Sequence, residues 1–249
     1  MRSIEVWDLP TRVFHWALVA LVLFDLVVAE DEGVALVLHT FAGYLVLLLL
    51  LFRLAWGVVG GEHALFRDFV APWSGVREYA GRLATRDPLP RYVGHNPLGG
   101  WMIVLMLVTL AVIVLSGLAI HDEHGGSGPI SAFVSPGLAE AAEELHEGAA
   151  NFMILLIAVH IVGVIATSVL EGENLTRAMI TGRESAEESS PLRDARRSSA
   201  SLAVALTLVL AVLGGWLVAN TSFADSERPI EEEHDEGRDQ DHEQDRDDD

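Results

Sequence analysis

The sequence predicts an all-α integral membrane protein: a four-helix bundle with a fifth transmembrane helix appended. Composition is the first reason. The chain is 51% hydrophobic with a mean hydropathy of +0.34, yet carries 36 acidic and 16 basic residues, and no soluble domain needs both. The second reason is that the charge is confined to stretches between apolar runs and to the C-terminal tail. Five runs, at roughly 12–29, 36–58, 97–120, 146–170 and 201–219, are each long enough to cross a hydrocarbon core of about 30 Å, which takes about 20 helical residues. The third reason is the alternation of basic loops. Arg67, Arg77, Arg82, Arg86 and Arg91 follow the second run, and Arg177, Arg183, Arg193, Arg196 and Arg197 follow the fourth, whereas the loops after the first and third contain no Arg. The positive-inside rule then makes the N-terminus cytoplasmic and sends the tail after the fifth span to the other side.

The first span begins after Arg2 and Arg12, and Val27-x-Ala29 at its end has the look of a cleavage site. Asp25 interrupts it and His15 lies in an aromatic cluster, so it is read as a retained helix rather than a signal peptide. The second span, 36–58, ends in a loop, 59–96, too polar and too broken by Gly60, Gly61, Pro72, Pro88 and Pro90 to cross. Short interfacial helices are expected there. Pro97 opens the third span as a helix-start residue. The fourth span opens at His146, and a linker at 183–200 leads to the fifth. Beyond it lies a tail at 220–249; from Thr221 onward fourteen acids stand against three Arg, with almost nothing apolar to bury, so this segment reads as disordered and solvated. Most of the six Trp fall near span ends, where amphipathic rings favour the interface.

Cysteine is absent, which removes disulfides, thiolate haem ligation, iron–sulfur clusters and covalent haem attachment together. Any cofactor must be held by His, carboxylate or Met. His146 and His160 are fourteen residues apart in one apolar run, a spacing that returns to within about 40° of the same helix face while separating the rings by roughly 21 Å. One helix therefore presents two imidazoles at two depths, and an intramembrane histidine is a functional residue looking for a partner. His15 lies about one turn into the first span from the cytoplasmic end, and His39 begins the second span at the outer end. Depth pairs His15 with His160 and His39 with His146, giving two bis-imidazole sites stacked across the bilayer. Ala42 and Gly43, Ala149 and Ala150, and Gly163 follow these histidines by about one turn. A flat porphyrin against a helix needs such missing side chains, although small residues also serve helix packing.

The motifs around these positions are VWDLPTRVFHW (Val6 to Trp16), His39-x-x-x-Gly43-Tyr44, Arg53-x-x-Trp56-Gly57 and Gly60-x-x-His63-Ala64. They continue with Gly94-His95-Asn96-Pro97-Leu98-Gly99, Leu145-His146-Glu147, Asn151, His160, and Glu173-Asn174-Leu175 ahead of Met179 and Gly182. In this order and topology the chain resembles the prokaryotic cytochrome b561 and nickel–iron hydrogenase b-type cytochrome superfamily, from Val6 to about Gly182. The resemblance implies a diheme transmembrane domain over 1–182, with two non-covalent b-type haems held by the positions matching His15, His39, His146 and His160. It implies electron transfer across a bacterial cytoplasmic membrane between the quinone pool and a redox partner: a c-type cytochrome, or a dehydrogenase or hydrogenase subunit. The chain would then be an electron-transfer subunit of a respiratory oxidoreductase, with membrane lipid around it and no nucleic-acid partner. The linker 183–200, the span 201–219 and the tail 220–249 lie outside that resemblance.

Other polar residues carry two readings each. Arg12 and Arg53, at the cytoplasmic ends of the first two spans, suit the propionates of the inner haem or a positive-inside anchor. His63 and His95 suit a quinone or propionate contact, or a structural cap. Asp25 suits a proton relay or an interface marker. His121 and His124, with His234 and His242 in the tail, support a different class of function: a metal-ion transporter or metal-handling membrane protein whose histidines line a hydrated path. That class leaves the pairing of histidines at two depths without a reason.

Overall fold

The computed structural model describes residues 2–28, 34–90, 92–120, 126–127, 129–130, 133–186, 199–219 and 222–223. His121, His124 and the tail from 224 onward lie outside the described residues. Five helices are long and apolar enough to cross a membrane: α1 (Leu9–Val28), α2 (Val34–Val59), α5 (Pro97–Gly117), α6 (Pro136–Glu171) and α8 (Ala200–Ala219). The loop after α2 folds into a 3-10 turn (Glu62–Ala64), α3 (Phe66–Phe69) and α4 (Trp73–Thr85), and α7 (Leu175–Thr181) follows α6. The interfacial helices expected at 59–96 are thus present.

Capping chemistry sets the helix boundaries. Asp8 Oδ1 accepts the Thr11 amide at 2.9 Å at the start of α1, answering the exposed-donor problem every helix start presents. Asn96 does the same for Gly99 at 2.8 Å, with Pro97 as the first residue of α5. Gly172 and Gly182 close α6 and α7 with φ of +66° and +81°, and Asn174 between them caps α7 through the Arg177 amide. The motif from Glu173 to Gly182 is therefore a helix stop, a restart and a second stop.

Helix α6 departs most from expectation. It begins at Pro136, ten residues before His146, and its 36 residues span about 54 Å at 1.5 Å per residue, well beyond a hydrocarbon core of about 30 Å. After Pro136 and Gly137 the extra turns, LAEAAEEL, are Ala, Leu and Glu, strong helix formers whose three acids keep the stretch from reading as part of the apolar span.

The core lies where α1, α2, α5 and α6 meet, around Phe14, Leu50, Trp56, Leu110 and Met153. Helix α5 lies along α6, α2 touches α1, α5 and α8, and α4 lies on α5. Two close approaches need glycine: a Cβ at Gly57 would strike the Phe66 ring, and one at Gly100 the Phe69 carbonyl. A second cluster on the N-terminal side joins Ile4, Val6 and Trp7 to Ala178. It is tied by an antiparallel pair, β1 (Arg2–Glu5) with β3 (Arg183–Ala186); a shorter pair joins β2 (Gly126–Ser127) to β4 (Ser222–Phe223). The first four residues of the expected linker are therefore part of the folded unit.

Candidate functional site

At the end of the bundle away from the N-terminus, the rings of His39 and His146 face each other with centroids 6.0 Å apart and planes at 83°. His146 is fixed by α5: its Nδ1 is 2.8 Å from the Ile113 carbonyl and 3.4 Å from Ser116 Oγ. A carbonyl only accepts, so Nδ1 carries the proton and Nε2 holds the free lone pair. Nδ1 of His39 lies 3.4 Å from Asp25 Oδ1, close enough for charge attraction but without hydrogen-bond geometry. His146 thus has a hydrogen-bonded oxygen behind Nδ1, the arrangement that orients histidine ligands and raises their basicity.

This geometry fits a metal held between two imidazoles. Two metal–nitrogen bonds of about 2 Å, plus about 1.1 Å from each nitrogen to its ring centre, sum to roughly 6 Å, the separation observed. The surroundings fit a flat group as well. Nothing lies within 4 Å of where a Cβ would stand at Gly43 or at Gly163, whereas one at Gly117 would be 3.0 Å from His146 Cε1. Among the described residues, no cluster of three or more His, Asp or Glu has metal-site geometry, so paired imidazoles are the only donor arrangement of this kind found there.

Toward the N-terminal side, His15 and His160 are within electrostatic reach of one another. His15 lies edge-on to Trp16 at 5.0 Å, and its Nδ1 is buried with no hydrogen-bond partner among the described residues. His95 joins this end. Its ring contacts Trp7 at 4.6 Å and Phe69 at 5.1 Å, its Nδ1 is closed off from solvent, and it is within reach of Arg53, His63, His160 and His15. Burial first, then the Arg53 charge, push His95 down to about 3, so it is neutral at pH 7. His63 stands 2.8 Å from Asp68.

Both arginines have structural partners. Arg12 donates to the Ile180 carbonyl at 2.7 Å. Arg53 is buried, donates to the Ala64 carbonyl at 3.0 Å and lies 5.0 and 5.3 Å from the Phe66 and Phe69 ring centres. Arg53 thus fastens the loop after α2 onto the bundle. Two carboxylates, Asp8 inside the first motif and Glu184 beyond the last, do similar work. Asp8 Oδ2 accepts from Trp56 Nε1 at 3.0 Å, joining the start of α1 to the end of α2. Glu184 on β3 accepts the Gly94 amide at 3.2 Å, ninety residues away in sequence, and burial raises its carboxyl above the ordinary range. The Ile113 carbonyl could not have been anticipated from side-chain types; Asp25 could, as an acid inside an apolar run.

Paired imidazoles between membrane-spanning helices define the class, a helical membrane protein built to hold a prosthetic group. The chain belongs to the prokaryotic cytochrome b561 family, which it matches over residues 6–182. It is thus a multi-pass membrane b-type cytochrome that binds haem b and transfers electrons. Among curated proteins it is 25% identical to the probable Ni/Fe-hydrogenase B-type cytochrome subunit of Rhizobium leguminosarum bv. viciae, over 73% of this chain and 88% of that protein. It is 23% identical to the protein of the same description in Cupriavidus necator, over 73% and 87%, and 24% identical to that of Rhodobacter capsulatus, over 72% and 80%. No solved structure gives a significant match.

Proposed function

We propose that this cytochrome carries two b-type haems, one between His39 and His146 and one between His15 and His160, and moves electrons through them across the bilayer. The observation that carries the reading is the His39–His146 pair with ring centres 6.0 Å apart and His146 Nδ1 held by the Ile113 carbonyl. Each haem supplies a reversible one-electron iron centre, and bis-histidine ligation suits electron transfer over chemistry at the metal. The protein's part is positional. Ile113 fixes the His146 ring through Nδ1 and leaves Nε2 with its lone pair, and the roughly 21 Å rise between His146 and His160 sets two stepping stones along one helix. Arg12 and Arg53 place positive charge at the N-terminal end, where the carboxylates of the inner group are to be neutralised.

The Arg distribution orients the N-terminus to the cytoplasm and the C-terminal tail to the periplasm. Residues 1–182 form the diheme domain in this reading, with α8 and the tail as additions. The relatives named above are hydrogenase cytochrome subunits. By that likeness the chain exchanges electrons between the quinone pool and a hydrogenase, with a dehydrogenase or a c-type cytochrome as the other partners of the same type. A pyridine haemochrome assay is expected to return two haems per chain. His146→Ala should return one, retaining the midpoint potential of the inner site, and His15→Ala should lose the other. A wild-type value of one or none, or loss of the same haem in both variants, sinks the assignment.

A further inference from the structure

Two histidines lie in the loop that joins α2 to α5, and their surroundings separate them. His63 is engaged, with Nδ1 2.8 Å from Asp68 Oδ2. His95 is not. Its ring packs against Trp7 at 4.6 Å and Phe69 at 5.1 Å, and its Nδ1 is sealed from solvent with no hydrogen-bond partner among the described residues. The other nitrogen, Nε2, is not sealed in this way and has no partner there either. Burial pushes the imidazole down to about 3, so protein surrounds the ring and Nε2 opens on the interior of the bundle rather than on bulk water.

A neutral imidazole carries one N–H and one lone pair. Buried N–H groups without an acceptor are rarer than acceptors left short of a donor, which places the lone pair on the sealed Nδ1 and the proton on Nε2. The groups that act electrostatically on this ring are Arg53, His63, His160 and His15, and no carboxylate is among them. What the Nε2 donor lacks is an anion. The backbone on both sides is fixed, so the ring does not swing away to find one elsewhere: Glu184 Oε2 holds the Gly94 amide at 3.2 Å, and Asn96 Oδ1 caps α5 through Gly99 at 2.8 Å. Asn96 Nδ2 also lies 3.5 Å from Thr167 Oγ1. Thr167 is seven residues beyond His160 on α6, about 10 Å toward the N-terminal end. His95 is thus held on the side of the His15–His160 pair where Arg53 stands.

We propose that His95 contacts the inner haem, its Nε2–H donating to a propionate as the uncharged counterpart of Arg53. The proposal rests on the inner haem of the function proposed above. A propionate is the anion this donor needs, and a hydrogen bond to a charged acceptor is stronger than one between neutral groups. Donation withdraws negative charge from the carboxylate. Its loss leaves more negative charge near the iron, which favours the ferric form.

The test uses the full-length, haem-loaded protein. His95→Met removes the donor, and His95→Gln has nearly the same length but returns an N–H close to the position of Nε2. Haem content, the propionate bending band in resonance Raman spectra and a redox titration are measured on each, the inner haem being the one that His15→Ala removes. His95→Met is expected to keep two haems, to move the propionate band to lower frequency, and to raise the ferric-to-ferrous ratio of the inner haem severalfold at a fixed potential, with the outer haem unchanged. His95→Gln should restore most of both shifts. Should His95→Met fail to fold, His95→Phe keeps a ring between Trp7 and Phe69 and should give the same two shifts. An unchanged band and potential in the folded donor-free variant, or equal shifts in the Gln and donor-free variants, overturns the role of His95 alone. A wild type that carries no inner haem overturns the two-haem reading and this proposal with it.

Discussion

At the residue scale the histidines divide by what stands behind them. His146 is backed by the Ile113 carbonyl and His39 stands 3.4 Å from Asp25, while His95, whose Nδ1 has no hydrogen-bond partner among the described residues, is kept neutral by burial and by Arg53. The unfolded chain takes up the His95 proton near the ordinary 6.5 and the folded chain only near about 3. Between those values the unfolded state binds the extra proton, so stability is fully present above about 6.5 and falls as the pH drops through the window. At pH 5 the cost from this one group is expected to be about 1–2 kcal/mol. Thermal melts of helical circular dichroism at pH 7 and pH 5 check it. His95→Gln should show the smaller loss on acidification, and an equal loss in both proteins removes His95 as the source.

At the element scale the glycines separate contact from convenience. Gly100, in the first turn of α5, lies against the Phe69 carbonyl, whereas Gly81 in α4 has nothing within 4 Å of where a Cβ would stand. Gly100→Ala should therefore destabilise by roughly 1–3 kcal/mol, because a backbone neighbour cannot give way as a flexible side chain can. Gly81→Ala should stabilise by about 0.5–1 kcal/mol through helix propensity alone. Unfolding midpoints moving in the same direction for the two variants would refute this account of the α3–α5 contact.

At the scale of the whole molecule α8 stands apart. It packs on α2 through a close approach of Gly214 to Leu48, where a Cβ would come within 2.7 Å of Cδ1, and Leu217 is its one buried residue. The family match ends at residue 182, before α8 begins. Removing residues 199–249 is therefore expected to leave the haem content per chain and the α band unchanged, measured on the purified truncated protein. Loss of haem on truncation would make α8 part of the cofactor-binding unit.

The number and course of the spans were legible in the sequence because hydrocarbon demands about 20 apolar residues wherever a helix crosses it. The depth of each histidine was legible too, because a helix rises by a constant amount per residue. The folded start of α6 before His146 was not, since Ala and Glu make helix without hydrophobicity. Neither was the strand pair of β1 with β3, two short polar segments whose pairing is decided by where α1 and α7 deliver them. The oxygen that stands behind His146 was likewise beyond the sequence. The Ile113 carbonyl is a backbone atom that every residue possesses, and only the packing of α5 along α6 aims it at His146. Sequence determined how deep each histidine lies; tertiary structure decided what stands beside it, because depth follows from the geometry of one helix and surroundings from contacts between two.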